Sequence, residues 1–222
     1  MKRSFARPLS LIAAGMALLV ADLAQAESST NEVIGNRIPY QYIVTDGAGD
    51  TDIGPGDDPW ETGSYDLALL EAQIANFNIV PYTSVLPPEA DEISIEEAKP
   101  FYHHGAVMEV IMATVNGIKG DTLTTGVGRI WVRYKSTGKL IGGFAAEYEK
   151  VYKSQKVPED QALAEAEKLL KESLLGEVER RYESGEVEAF GITYQTNYEF
   201  VDKKYGTSLT ALGWLTYIYP AY

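Results

Sequence analysis

The sequence has 222 residues with 32 acidic and 19 basic side chains, which gives a formal net charge of −13. A chain this acidic favours cationic ligands, so we expect no nucleic-acid partner. It contains no cysteine, which excludes disulfides, a thiol nucleophile and cysteine-based metal sites. The length fits a single compact α/β domain that can bury its own core.

The first 26 residues have the pattern of a secretory signal peptide. Basic residues at positions 2, 3 and 7 precede an apolar run over 11–21, and Ala-Gln-Ala at 24–26 is a small-x-small cleavage site. The apolar run is shorter than the about 20 residues that span a bilayer, although an uncleaved anchor is the alternative. We therefore expect 1–26 to be removed, the domain to occupy 27–222, and the protein to be periplasmic or secreted.

The next segment predicts one strand, over residues 38–45, and then a long loop rich in Gly, Asp and Pro over 46–62. Three of the loop's acids stand at calcium-loop positions, namely Asp50, Asp52 and Glu61, but Pro55 occupies the position where such a loop needs glycine. We therefore predict no metal site.

A helix is predicted over residues 64–75. Ser64 is its expected N-terminal cap, and Leu67, Leu70 and Ile74 recur at helical spacing as its buried stripe. The helix leads almost directly into the segment that carries the chemistry.

That segment is the apolar run 77–82, which predicts a buried strand ending at Thr83 and Ser84. A hydroxyl aimed at the preceding carbonyl can convert the Thr83–Ser84 peptide into an ester. Elimination then leaves dehydroalanine, and loss of ammonia turns residue 84 into a pyruvoyl group. From the pattern alone, the commoner interpretation is an ordinary strand that ends in a Ser/Thr turn.

The remainder predicts a linker with one helical turn, three strands that form a sheet, a long amphipathic helix, and two aromatic-rich strands. These elements cover residues 87–100, then 105–115, 123–134 and 140–152, then 158–182, and finally 187–200 and 207–219.

Glu147 is the acid of interest in the third of these strands. It follows an apolar stretch, and a carboxyl on a buried strand has a raised pKa and is a ready proton donor. Glu149 would share its face about 7 Å further along the strand. The alternative is that Glu147 marks the point where the strand reaches solvent.

Five motifs together resemble the pyruvoyl-dependent arginine decarboxylases, in the branch that cleaves itself between Thr and Ser. In order they are YDLALL at 65–70, NFNIVPYTSVLP at 76–87, HGAVMEVIMA at 104–113, LIGGFAAEY at 140–148 and LTALGW at 209–214.

The resemblance implies a layered αββα sandwich with helices outside antiparallel or mixed sheets. It implies self-cleavage into 27–83, the β chain, and 84–222, the α chain, which begins with a covalent pyruvoyl group derived from Ser84. It also implies a homotrimer with active sites between subunits, and decarboxylation of L-arginine to agmatine and CO2.

The resemblance also assigns the site residues. Ser84 and Thr83 flank the cleaved bond, Glu147 is the proton donor, Asn78 stabilises the oxyanion during self-cleavage, and Asp66 contacts the guanidinium of the substrate. From the residues alone, Asn78 could instead be a buried structural amide, and Asp66 could simply compensate the helix dipole.

Two other functions stay open at this point. One is a pyruvoyl-dependent decarboxylase of another basic amino acid, such as lysine or ornithine, since one aspartate does not fix the shape of a cation. The other is a non-catalytic exported binding protein on the same fold. For the decarboxylase, the resemblance makes a functional link to an arginine/agmatine antiporter reasonable.

Overall fold

The computed structural model describes residues 36–219, so the predicted signal peptide and mature N-terminus lie outside the described residues. Within 36–219 the chain forms eleven strands and three α-helices. The strands are β1 (Ile38–Pro39), β2 (Gln41–Thr51), β3 (Asn78–Pro81), β4 (Val85–Leu86), β5 (Asp91–Glu92), β6 (Val107–Ile118), β7 (Thr122–Tyr134), β8 (Leu140–Tyr152), β9 (Val187–Phe200), β10 (Tyr205–Trp214) and β11 (Tyr217–Ile218). The helices are α1 (Asp66–Glu71), α2 (Ile95–Ala98) and α3 (Glu159–Arg181).

The strands form two main sheets and one small one. The five-stranded sheet has the order β3-β6-β10-β2-β5, the four-stranded sheet has the order β4-β8-β7-β9, and β1 pairs with β11. The β3–β6 and β2–β5 pairs are parallel, and the other pairs are antiparallel.

Three apolar cores separate four layers. One core lies between α1, α2 and the outer face of the five-stranded sheet, and another lies between α3 and the four-stranded sheet. The third lies between the two sheets and is centred on Tyr42, Ile111 and Trp214. The predicted αββα sandwich with mixed sheets and outer helices is therefore confirmed.

The predicted loop over 46–62 is wrong in its first part, because β2 continues through Asp46-Gly-Ala-Gly to Thr51. Gly47 and Gly49 lie under α1: a Cβ at Gly47 would be 2.1 Å from the carbonyl oxygen of Ala68, and one at Gly49 would be 2.5 Å from Cβ of Leu67. These glycines permit close packing of a helix on a strand rather than a turn.

The predicted helix over 64–75 also differs in detail. A π-helical turn, Glu61–Tyr65, precedes α1, and the Ser64 hydroxyl lies 2.7 Å from that of Thr207 instead of capping the helix. The exposed fractions of Leu67 and Leu70 are 41% and 55%. The buried face is made by small residues, since Ala68 and Ala72 fit the glycine surface of β2.

The long helix was predicted correctly. It runs as α3 from Glu159 to Arg181 and buries Leu170 and Leu174 against β7. The glycines of β7 explain the contact: a Cβ at Gly126 would meet Leu170 at 3.0 Å, and one at Gly128 would meet Leu174 at 3.0 Å.

The three strands after the linker form as predicted, but not in one sheet. β7 and β8 pair, whereas β6 belongs to the five-stranded sheet. The turn between β6 and β7 therefore crosses between sheets, and the carboxylate of Asp121 holds it by accepting from the N–H groups of Ile118 and Ser154. Glycine and lysine in a short turn do not distinguish such a crossing from a hairpin.

None of the helices in residues 36–219 combines the length and the apolar character needed to cross a membrane.

Candidate active site

The chain crosses from one main sheet to the other at the predicted cleavage bond. On one side, the N–H of Tyr82 donates to the carbonyl of Val110 in β6 at 2.7 Å. On the other side, the carbonyl of Ser84 accepts from the N–H of Ala145 in β8 at 2.9 Å. The Thr83–Ser84 peptide thus lies between two anchored residues that belong to different sheets.

A tight turn is centred on Ser84. The N–H of Val85 donates to the carbonyl oxygen of Thr83 at 3.0 Å, the i to i+2 bond of a γ-turn. That oxygen belongs to the carbonyl that the Ser84 hydroxyl would attack, so the Val85 N–H already polarises it. Sequence reasoning missed both Val85 and Ala145, because every residue carries a backbone N–H and no residue type signals its use.

Glu147 lies beside Ser84. The Ser84 hydroxyl donates to Oε2 of Glu147 at 3.3 Å. Partial burial raises the pKa of Glu147, the bond from Ser84 opposes this rise, and the negative charge of Glu149 adds to it. The side chain is exposed at the surface, so solvent screening limits the size of the rise.

Glu147 was predicted either to follow a buried stretch of the strand or to mark the point where the strand reaches solvent, and each prediction holds in part. Ala145 and Ala146 are buried, as expected for the middle of a sheet, and Glu147 is the first residue after them whose side chain reaches solvent. Glu149 follows on the same side, where its carboxylate accepts from the N–H of Thr114 in β6 at 2.8 Å.

The strand before the cleavage bond was predicted to be buried, and this is wrong. β3 is the edge of the five-stranded sheet with β6 as its one neighbour, and Asn78, Val80 and Pro81 are exposed. Residues with high strand propensity occupy an edge as readily as a centre, so propensity did not reveal the exposure.

Asn78 is not a buried amide. Its side-chain N–H donates to the carbonyl of Gly105 at 2.8 Å, which ties β3 to the start of β6. It precedes Thr83 by five residues, roughly 15 Å along an extended chain. Within one chain, therefore, Asn78 does not come within bonding distance of the Thr83 carbonyl.

Asp66 is exposed in the first turn of α1. α1 packs on the outer face of the five-stranded sheet, away from the space between the sheets. Within residues 36–219, no hydrogen bond or ion pair connects Asp66 to Ser84, Glu147 or Asn78. The single chain thus brings together Ser84 and Glu147 but neither Asn78 nor Asp66.

A cavity of about 320 Å³ opens at the free edge of β6. Met112, Thr114 and Asn116 line one wall, and Asp58, Glu61 and Tyr65 line the other. The two carboxylates make this cavity suitable for a cation. Sequence reasoning considered Glu61 for calcium alone and gave Asp58 no role.

Two of the three acids considered for calcium, Asp50 and Asp52, have other partners. Asp50 lies on β2, and its carboxylate forms an ion pair with the side chain of Lys203 and accepts a hydrogen bond from the N–H of Lys203. The carboxylate of Asp52 accepts a hydrogen bond from the N–H of Lys204. Their spacing reflects a contact between β2 and the turn before β10.

Comparison with known proteins identifies the family. Residues 41–219 match the family described as pyruvoyl-dependent arginine decarboxylase. The pyruvoyl-dependent arginine decarboxylase AaxB of Chlamydia abortus is 43% identical over 190 residues, which cover 82% of this chain and 94% of that protein. The protein of the same name from Chlamydia caviae is 42% identical over 188 residues with the same coverage.

A more distant relative is pyruvoyl-dependent arginine decarboxylase 1 of Methanosarcina mazei. It is 31% identical over 97 residues, which cover 43% of this chain and 54% of that protein. The matched segment of the family includes the sheet crossing, Ser84 and Glu147. The chain therefore belongs to the pyruvoyl-dependent arginine decarboxylase family.

Proposed function

We propose that the chain cleaves itself between Thr83 and Ser84 and then decarboxylates L-arginine to agmatine and CO2. The observation that carries this proposal is the contact between the Ser84 hydroxyl and the Glu147 carboxyl, at the point where the chain crosses between the sheets. The chains 27–83 and 84–222 would stay together because each end is held by its own sheet.

In self-cleavage, the Ser84 hydroxyl oxygen attacks the Thr83 carbonyl carbon, and Glu147 is placed to take the hydroxyl proton. The carbon–nitrogen bond breaks, the nitrogen takes a proton, and an ester remains. Elimination releases Thr83 as a carboxylate and leaves dehydroalanine at 84, and water then replaces its nitrogen as ammonia leaves. The Val85 N–H stabilises the negative charge on the Thr83 oxygen during the attack.

A pyruvoyl group made from residue 84 fits this position. The carbonyl of residue 84 is held by the N–H of Ala145, and the side-chain position faces Glu147 at an opening to solvent. The pyruvoyl group supplies an electrophilic carbonyl that binds the substrate amine and draws electrons from the bond to the departing carboxylate.

The chain's own groups then stabilise charge and supply a proton. The N–H of Ala145 stabilises negative charge on the carbonyl oxygen of residue 84. Glu147, whose pKa is raised by partial burial, holds a proton near neutral pH more readily than an ordinary glutamate. It donates this proton to the carbon that CO2 has left, so each turnover consumes one proton.

Substrate binding requires a second copy of the chain in this proposal. Asp66 binds the guanidinium as a bidentate ion pair, and Asn78 assists the oxyanion, both reaching Ser84 from a neighbouring subunit of a homotrimer. Both side chains are exposed in the single chain, and the exposed Val80 and Val107, which lie near Asn78 on β3 and β6, offer an apolar surface for assembly.

The proposed location is outside the cytoplasm, after removal of residues 1–26. In that location the enzyme would receive arginine and return agmatine through an arginine/agmatine antiporter. The support is the pattern of the leader, and N-terminal sequencing of the smaller chain from cells should find a start near Glu27. A start at Met1 would contradict export with processing.

The activity is tested by incubating purified protein separately with arginine, lysine and ornithine and measuring amine and CO2. Agmatine from arginine, with little product from the other two, is the expected result. Ser84→Ala should form no product from any of them. A preference for lysine or ornithine would contradict the proposed substrate but not the pyruvoyl chemistry.

A further inference from the structure

Four residues form a polar cluster at the chain segment before the cleavage bond: Arg37, Tyr82, Glu109 and Tyr217, called here the Arg37 cluster. Glu109 of β6 is 5% exposed and accepts from both Arg37 and Tyr217. The same nitrogen of Arg37, Nη2, donates to the hydroxyl of Tyr82 at 2.9 Å. The Arg37 guanidinium also lies 4.3 Å from the centre of the Tyr217 ring.

The Arg37 cluster forms where the two ends of the described chain pair with each other. β1 pairs with β11, with Ile38 opposite Ile218 and Pro39 opposite Tyr217. Arg37 immediately precedes β1, so this pairing brings its side chain over Tyr217 and onto Glu109. Arg37 lies before residues 41–219, which match the family, and it entered none of the sequence predictions above.

Tyr82 is the residue just before Thr83, and it is fixed at two points. Its N–H donates to the carbonyl of Val110, and its hydroxyl accepts from Arg37. On the other side of the bond, Ser84 is fixed by Ala145, and Val85–Leu86 pair with β8. Thr83 is therefore the one residue between two anchored neighbours.

Anchors on both sides of a reacting bond raise the rate of an intramolecular attack, because they limit the conformations that the nucleophile and the carbonyl can sample. The acyl shift needs the Ser84 oxygen to approach the Thr83 carbonyl carbon. Without a bond to its hydroxyl, Tyr82 would restrain the neighbouring backbone less, and the Thr83 carbonyl could then rotate away from the Ser84 oxygen. The bond from Arg37 opposes that rotation, and its donor is charged, which makes it stronger than a bond between neutral groups.

We propose that Arg37, acting through the hydroxyl of Tyr82, is a positioning residue for self-cleavage. This inference rests on the proposed cleavage at Thr83–Ser84. Glu109 holds the guanidinium in place, and Tyr217 completes the coordination of Glu109. Neither Arg37 nor Tyr82 takes part in proton transfer.

The test compares the rate of self-cleavage in Tyr82→Phe and in wild-type protein. Precursor made by cell-free synthesis is sampled over time, and the uncleaved fraction is measured by denatured mass. Tyr82→Phe keeps the ring and the Arg37–Glu109 ion pair, so we expect the thermal unfolding midpoint of the uncleaved protein to be unchanged and cleavage to slow about tenfold.

Tyr198→Phe is the matched control. It also removes a tyrosine hydroxyl that has a partner, since that hydroxyl donates to the carbonyl of Val157 at 2.9 Å, but it is remote from Thr83. We expect it to cleave at the wild-type rate. If both variants slowed self-cleavage equally, the slower cleavage would be explained by a loss of stability, and the proposal would be overturned.

Two further variants complete the test: Arg37→Lys, and the double variant that combines Arg37→Lys with Tyr82→Phe. Lysine keeps a cation for Glu109 but lacks the planar guanidinium that lies over the Tyr217 ring and fixes the position of Nη2, so it should also cleave more slowly. The double variant should be no slower than the slower single variant, because both remove the same bond. Positioning by Arg37 would be refuted if the double variant slowed cleavage by the product of the two single effects, or if Tyr82→Phe cleaved at the wild-type rate. No cleavage in the wild type would instead refute the proposed function.

Discussion

Ser84 and Glu147 are the two side chains that the single chain brings together for chemistry. Their contact at 3.3 Å is made by a residue at a sheet crossing and a residue where β8 reaches solvent. In the proposed function, Glu147 serves two successive reactions: its carboxyl first accepts a proton from Ser84 and later donates one to the substrate. The residue-scale predictions separate these two roles.

Glu147→Gln should slow self-cleavage and lose decarboxylation. The amide oxygen of glutamine still accepts a hydrogen bond from the Ser84 hydroxyl, but the side chain can neither take the hydroxyl proton nor give an acidic proton to carbon. We expect slower cleavage and, in the cleaved protein, a fall in kcat of about 10²- to 10⁴-fold. Pyruvoyl content and agmatine formation measured on the same sample would check this, and a cleaved variant with wild-type kcat would exclude Glu147 as proton donor.

Val85→Pro should slow self-cleavage, because proline lacks the N–H that donates to the Thr83 carbonyl. Loss of one donor to a developing oxyanion typically costs about 10²- to 10³-fold. Val85→Ala keeps the N–H and is the matched control. Time courses of denatured mass for the two variants should differ by this factor, and equal rates would show that this donor is unimportant.

At this scale the sequence predicted the side chains and not the backbone groups. Ser84 and Glu147 stand in motifs that resemble the family, so their contact could be anticipated. The roles of Val85 and Ala145 depend on the direction of N–H groups at a turn and at a strand edge. The roles of Asn78 and Asp66 stay predictions, since the single chain does not bring them to Ser84.

At the element scale, the main error of prediction concerns the packing of α1 on β2, because part of β2 was predicted to be a loop. Glycine at positions 47 and 49 predicted a loop because glycine is common in turns, whereas here it removes side chains from a covered strand face. Long periodic elements such as α3 were predicted nearly to the residue, because about six turns of helical pattern constrain a helix more than two glycines constrain a loop.

Gly47→Ala should destabilise the domain. Its Cβ would lie 2.1 Å from the Ala68 carbonyl oxygen, so α1 or β2 must move, and overpacking of this kind costs about 1–3 kcal/mol. Gly176→Ala is the contrasting control. It lies within α3 with just the flexible end of Arg180 nearby, and should stabilise by about 0.5–1 kcal/mol. Urea unfolding of both variants, compared with wild type, should give opposite signs.

At the scale of the whole molecule, several acidic side chains lie close together around Glu199 of β9. Burial, together with Asp50, Glu71 and Asp202, raises the pKa of Glu199 to about 7. A carboxyl whose pKa is higher in the folded state stabilises the fold at low pH, and this stabilisation is lost as the pH rises through about 7. The fold should therefore be more tolerant of mild acid than of mild base.

Glu199→Gln should raise the thermal midpoint by a few degrees at pH 8 and leave it nearly unchanged at pH 5. The reason is that glutamine removes a charge that the folded state disfavours, and wild-type Glu199 is already protonated at pH 5. Glu183→Gln, on the exposed turn after α3, is the control. A stabilisation of equal size at both pH values would show that Glu199 does not titrate near neutrality.

The most direct test of the central claim is the intact denatured mass of purified wild-type protein beside that of Ser84→Ala. We predict that the wild type gives two chains that part between residues 83 and 84, with the larger chain blocked to N-terminal sequencing by its pyruvoyl group. Ser84→Ala should give one uncleaved chain. A single uncleaved chain in the wild type, matching Ser84→Ala, would contradict the account.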